Sequence, residues 1–433
     1  MHSTGFDASR GGCPCCFIVP PQMLQRLATS GDAGLAETAG RTLRLTQSLV
    51  AFRAQLSTGA PSPAAAKRIG PRRQIFDCKG FNDLPGDLVR SETDTAPSPD
   101  KAVNEAFGHA GTTWDFYKTI FGRESVDGIG KTLVSSIHYS QKYDNAFWNG
   151  QQMVYGDGDG VIFQRFTAAL DVIAHELTHG VTQFSAQLAY RDQSGALNES
   201  MSDVFGSMVK QWALGQTVTE ADWLIGAGIM VPAPKRRALR DMANPGTAYD
   251  DPKLGKDSQP GHMKDYVQTD LDSGGVHTNS GIPNRAFALA AKAIGGHSWE
   301  KTGKIWYVTL TQRLTGNDGF EKCATETVSV ARDLFPNDPA IAAKVAQAWT
   351  DVGVLEVAPA SALVATAAGA YVIASRMREV AIAPPPAAKT KKRAAPPAAA
   401  KAPRGTRKKS LAGVESHRRA FGRFCQNHPA GRK

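Results

Sequence analysis

Two hydrophobic rhythms divide the chain. Between residues 73 and 167, apolar and polar side chains alternate, as in TLVSSIHYS at 132–140 and QMVYGDGDG at 152–160, with Gly and Asp turns between. A period of two predicts strands with one buried face. After residue 167 the period lengthens. LDVIAHELTHGVTQFSAQLA at 170–189, GALNESMSDVFGSMVKQWAL at 195–214, NSGIPNRAFALAAKAIGG at 279–296 and a last pair ending in VAQAWTDVGV at 345–354 repeat at helical spacing. An α+β fold follows, with a β-rich lobe over 74–170 and a mainly helical lobe over 171–357. The helix from residue 170 lies at the junction, beside a cleft.

The two ends follow other patterns. Residues 1–60 combine a Cys-rich start, a VPPQML turn and a helix carrying Leu43, Leu45, Leu49 and Phe52. Residues 61–73, rich in Pro, Ala, Gly and basic side chains, predict an exposed linker where processing would fall. From 358 to 433 the sequence is dominated by Ala, Pro, Lys and Arg, a composition that cannot bury a core and predicts disorder.

Composition changes the picture in three places. The formal charge of +10 is a poor average, since residues 358–433 alone carry +14 and residues 1–357 carry −4. A polyanion, including nucleic acid, is therefore a candidate partner for the tail only. The cysteines, at 13, 15, 16, 78, 323 and 425, do not form a spaced disulfide framework. No apolar run approaches the ~20 residues of a membrane span, and the N-terminus lacks the pattern of a secretory leader. Both a cytoplasmic location and secretion by a non-classical route fit that reading.

The chemistry concentrates on LDVIAHELTHGVTQ. His175 and His179, at i and i+4, leave one side of a helix at metal-ligand spacing. Catalytic zinc takes three protein ligands and leaves a position for water, so a third ligand must come from elsewhere. Glu199 supplies it. On the same predicted helix Asp203 can hold the outer nitrogen of one imidazole, and Asn198 that of the other. Glu176 flanks the pair and can take a proton from bound water. Tyr190, in LAYRDQ, and His277, in DSGGVHTNSGI with Asp272 five residues before it, offer donors for an oxyanion. A thiolate from Cys16, ahead of Cys13 or Cys15, could occupy zinc's open position and keep a precursor inactive; thiols that merely pack or sit exposed are the equal alternative.

Several blocks occur together in order: NAFWNGQQMVYGDGDG, HELTHGVTQ, GALNESMSDVFG, ALRDM and GGVHTNSGI. Across roughly residues 73–357 the chain resembles the thermolysin-like zinc metalloproteases, and VPPQML resembles the short propeptides of the protealysin-like subgroup. The resemblance implies a two-lobed fold, one zinc held by His175, His179 and Glu199, and Glu176 as general base. Tyr190 and His277 would then stabilise the tetrahedral intermediate. It further implies that Asn145 and Ala146 clamp an extended peptide and that Arg240 holds a substrate carbonyl. Phe163, Phe166, Val172 and Leu239 would surround the residue after the scissile bond, favouring a bulky apolar one. The expected protein is a monomer acting on proteins and peptides and inhibited by its own propeptide. The family's double calcium site looks lost, because Lys210, Leu224 and Ala227 stand beside Asp171 and Asp222 where acidic ligands are expected; a calcium ion elsewhere stays open. Two other classes remain beside this one: a non-catalytic zinc protein, and a polyanion binder acting through its tail.

Overall fold

The computed structural model describes residues 16–55 and 69–356. Cys13, Cys15, Cys425, most of the expected linker and the basic segment at 358–433 lie outside the described residues. The first half is built on a six-stranded mixed sheet. Its strands are β1 (Cys16–Phe17), β2 (Arg73–Asp77), β3 (Asp87–Ser91), β4 (Leu133–Ile137), β5 (Ala146–Trp148) and β6 (Met153–Tyr155). They lie in the order β1-β5-β6-β4-β2-β3. β4 runs parallel to β2 and β6, whereas β5 runs antiparallel to β6 and β1. Arg73, assigned from sequence to the linker, is the first residue of β2 and pairs with Leu133.

Parallel strands cannot be joined by a tight turn. A helix between β3 and β4, α3 (Lys101–Phe121), makes the crossover. The strand-rich expectation for 73–167 missed it. Asp100 caps its start, accepting from the Ala102 amide at 2.7 Å, and Gly122, at φ 68°, ends it. Its buried stripe, Val103, Ala106, Phe107, Ala110, Phe116 and Tyr117, is interrupted by Gly108, Gly111 and adjacent threonines, which dilute the helical period.

Two helices, α1 (Pro21–Ala28) and α2 (Ala33–Gln55), follow β1. Leu45 and Leu49 of α2 pack on a buried cluster of Phe17, Cys78, Tyr139, Tyr143, Phe147 and Val154. Polar contacts fix the register: Thr46 Oγ1 lies 3.0 Å from the Tyr143 hydroxyl, and Thr42 Oγ1 accepts from the Asp144 amide at 3.2 Å. The N-terminal region thus lies on the sheet, with β1 extending it past β5.

The second half contains α4 (Leu170–Gln183), α5 (Asp192–Leu214), a short pair β7 (Leu224–Ile225) and β8 (Arg240–Asp241), and α6 (Asp272–Asn279) through α10 (Pro339–Asp351), with α7 at Gly281–Ile294, α8 at Thr302–Gln312 and α9 at Phe320–Leu334. Helices α4 and α5 touch because Gly206 has no side chain. A Cβ there would stand 2.7 Å from the Asp171 carbonyl oxygen. Beyond that contact, the Lys210 ammonium lies 3.2 Å from Asp171 Oδ2, 2.9 Å from Asp222 Oδ1 and 2.6 Å from the Leu224 carbonyl oxygen. Burial pulls its pKa down, but Asp171 and Asp222 outweigh this and hold it above the usual lysine value. An internal cation thus fills the carboxylate cluster where calcium was in question.

His138 ties α3 to the loop after β6. Its Nδ1 is 2.8 Å from Asp157 Oδ1 and its Nε2 is 2.8 Å from Asp100 Oδ2. The Asp157 hydrogen bond, against the opposing effect of burial and with Asp100 assisting, raises its pKa to about 9. A pKa raised on folding stabilises the folded state fully below the unfolded value of about 6.5, and that contribution is lost as pH rises through 9. His138→Gln should therefore lower stability most near pH 6, with the difference from wild type closing above pH 9.5. Urea midpoints measured across that range check it.

Candidate metal centre and cleft

On α4, His175 and His179 point toward α5, where Asp203 and Asn198 meet their outer nitrogens. His175 Nδ1 lies 2.9 Å from Asp203 Oδ1. A carboxylate only accepts, so this nitrogen carries the proton. His179 Nδ1 lies 2.9 Å from Asn198 Oδ1, and the Asn198 amide donates to the Leu188 carbonyl at 3.1 Å, which turns its oxygen toward the ring. Both Nε2 atoms are then lone pairs. They face each other at 3.0 Å, and each is 3.5 Å from a Glu199 carboxylate oxygen. All three side chains are fully buried. Burial lowers the His175 pKa to about 4 and that of His179 to about 3, so neither ring is charged at neutral pH.

Two imidazole lone pairs and a carboxylate converging in a dry interior repel one another unless a cation lies among them. Two imidazoles and one carboxylate are a zinc donor set. Among the described residues, no other group of three metal-ligating side chains lies this close together. The residues therefore fit zinc.

Asp203 is itself held. Arg240 donates from Nε and Nη2 to its two oxygens at 2.7 Å each, and Asn284 Nδ2 donates at 2.8 Å. Burial would raise the Asp203 pKa, but Arg240 and His175 outweigh it and hold the carboxyl far below the usual range. The ion pair Arg240–Asp203 thus fixes the tautomer of His175. Sequence reasoning missed Asn284, whose signal was a polar side chain inside the apolar stripe of α7, and Ser202, whose Oγ lies 3.0 Å from His179 Nδ1.

A second cluster faces the first. Asp272 Oδ1 lies 2.7 Å from His277 Nδ1, and its other oxygen accepts from the His277 amide at 3.0 Å. Burial works against the charged ring, yet Asp272 and then Glu199 raise the His277 pKa to about 9. Its Nε2 reaches the Tyr190 hydroxyl at 3.3 Å, and Tyr190 in turn donates to Glu199. The turn holding Asp272 requires glycine. At Gly274, with φ 88°, a Cβ would stand 2.1 Å from Asp192 Oδ1. Glu176 is fully buried on α4 between the two histidines in sequence. Burial first, and then the Glu176 charge, push the Tyr155 phenol well above its usual value.

Residues 16–19 run along the cleft. Cys16 pairs with Trp148 and Phe17 with Phe147, antiparallel. The Ile18 amide donates to the Ala146 carbonyl at 3.1 Å, and Val19 exchanges hydrogen bonds with the Asn145 side chain at 3.0 and 3.3 Å. Arg240 Nη1 donates to the Ile18 carbonyl at 3.0 Å, and His277 Nε2 donates to that of Phe17 at 2.5 Å. Cys16 is buried but is not one of the three converging donors. Phe163, Phe166, Val172 and Leu239 are all buried, the two rings 5.6 Å apart between centroids.

A two-lobed α+β fold with a buried two-histidine, one-glutamate centre defines a zinc metallopeptidase. The chain belongs to the thermolysin metallopeptidase family: residues 58–183 match the model of its catalytic domain and residues 186–354 that of its alpha-helical domain. It is 51% identical over 345 residues to an extracellular metalloprotease of Pectobacterium carotovorum subsp. carotovorum, covering 79% of this chain and 97% of that protein. It is 42% identical over 342 residues to the protease PrtS of Photorhabdus sp. (strain Az29), covering 78% and 91% respectively. Among solved structures, the precursor of protealysin from Serratia proteamaculans superposes with a TM-score of 0.71 at 48% identity, over 78% of this chain and 100% of that one. The family uses catalytic zinc and hydrolyses peptide bonds, and so does this enzyme. No helix among the described residues is long and apolar enough to cross a membrane.

Removing the Asp203 charge should loosen the metal without emptying the site. Asp203→Asn is expected to weaken zinc affinity about 10- to 100-fold, the usual effect of losing a carboxylate behind a ligating histidine. Competition with a chromophoric chelator measures it, and unchanged affinity would contradict the tautomer argument.

Proposed function

We propose that this zinc endopeptidase is made as a zymogen whose residues 16–19 block the cleft in the manner of a substrate. The observation that carries this reading is the Phe17 carbonyl, which receives the His277 proton beside the three metal donors. His175, His179 and Glu199 would hold zinc, which would supply Lewis acidity at the substrate carbonyl and to an attacking water. Glu176 is the base that accepts a proton from the attacking water and returns it to the leaving nitrogen. His277 and Tyr190 donate to the oxygen on which negative charge develops, and Asp272 keeps the His277 ring oriented and protonated. Asn145 and Ala146 pair with the extended backbone, and Arg240 holds the carbonyl of the residue after the scissile bond. A bulky apolar preference at that residue, within Phe163, Phe166, Val172 and Leu239, is consistent with the burial of Ile18 at the corresponding place.

In this reading inhibition comes from backbone occupation rather than from a Cys16 thiolate. Glu176→Gln should keep zinc and fold while losing at least about 10²-fold in casein hydrolysis, the scale of a lost general base. In the same assay Cys16→Ser should remain latent at the wild-type rate. Substantial activity in the first variant defeats the mechanism, and prompt activation of the second restores the thiolate switch.

For the tail we propose a polyanion contact independent of catalysis, on the strength of its charge of +14. Deleting residues 358–433 should leave peptide hydrolysis unchanged and abolish retention on heparin at low salt. Equal retention of the truncated protein would rule the contact out.

A further inference from the structure

We infer that Phe17–Ile18 is a cleavable bond, and that the enzyme dismantles its own inhibitory strand by hydrolysing it. The inference rests on the peptidase reading and goes beyond occupation of the cleft. An inhibitor can fill a cleft out of register or in the reverse direction, and then no bond of it is exposed to attack. Here five hydrogen bonds fix both direction and register. The Phe17 carbonyl meets His277 Nε2 at 2.5 Å, and that nitrogen is also 3.5 Å from Glu199 Oε2 in the metal centre. One residue on, the Ile18 amide is fixed by Ala146 and its carbonyl by Arg240. One further on, Val19 is clamped at both its amide and its carbonyl by Asn145. The polarised carbonyl and the donors that follow it are those a substrate would use, so the carbon open to attack is that of Phe17.

Hydrolysis here needs only water and the established activity. Water oxygen adds to the Phe17 carbonyl carbon and the bond to the Ile18 nitrogen breaks. The two water protons pass to that nitrogen, leaving Phe17 as a carboxylate and Ile18 as an ammonium. The surroundings make the cut slow. Phe17 is packed in the aromatic cluster with its ring 5.1 Å from that of Phe147, and Gln22 anchors the downstream side by donating to Asp272 Oδ2 at 3.1 Å. Both new ends stay in place at first, which favours resealing over release. Once they part, Cys16 and Phe17 are held by the two-residue pairing of β1 and the packing of the Phe17 ring, and their departure opens the half of the cleft before the scissile bond. Latency is then temporary by construction.

The test uses the full-length, zinc-loaded protein. Samples taken during activation are analysed by mass spectrometry for chain ends and assayed on casein. A chain beginning at Ile18, or a fragment ending at Phe17, should accumulate before or with activity and should be absent from Glu176→Gln. The activated protein should also cut a synthetic peptide of residues 14–24, carrying Cys15→Ser and Cys16→Ser, between Phe17 and Ile18. Casein hydrolysis with neither chain end formed, or cutting of the peptide at another bond, overturns the inference while leaving the peptidase reading intact. Absence of casein hydrolysis as well would overturn both.

Discussion

Two imidazole nitrogens, each with its proton on the far side of the ring, face each other at 3.0 Å in a completely buried pocket. That mutual repulsion is the constraint on which the site depends, because a cation shared with Glu199 relieves it. Much of the surrounding structure maintains it. Asp203 and Asn198 keep the protons on the outer nitrogens, and Gly206 lets α5 come close enough to α4 for Glu199 to join them. Arg240 and Asn284 then keep Asp203 charged in the interior, where an isolated carboxylate would be costly.

Arg240 also links the metal centre to the cleft. One side of its guanidinium is committed to Asp203, and the remaining Nη1 reaches the Ile18 carbonyl. The Ile18 segment is therefore hydrogen-bonded to the same side chain that orients a metal ligand. His277 does the equivalent from the other wall, with Asp272 behind it and Phe17 before it. Residues 16–18 use both contacts and the edge of β5, so in the proposed reading latency and substrate binding draw on one set of donors.

Much of this was legible in the sequence because i, i+4 spacing on a helix is a geometric statement. His175 with His179, and Glu199 with Asp203, declare shared faces without any tertiary information. The α+β division was equally readable from the change of period near residue 167. What could not be read was long-range pairing. Asn284 reaches Asp203 across 81 residues and Arg240 reaches Ile18 across 222, and no local pattern encodes either. The seating of Cys16–Phe17 on β5 was hidden for the same reason: a two-residue strand has no period. Helix α3 was missed differently, since Asp100 and Gly122 marked its ends but glycines and threonines blurred its stripe.

The central claim is that a single zinc ion joins His175, His179 and Glu199 in the folded protein. Anomalous diffraction from crystals of the purified enzyme, recorded on both sides of the zinc absorption edge, tests it most directly. The account predicts one strong peak within bonding distance of both Nε2 atoms and the Glu199 carboxylate. An active preparation with no peak there, or with its zinc bound by other side chains, would contradict it.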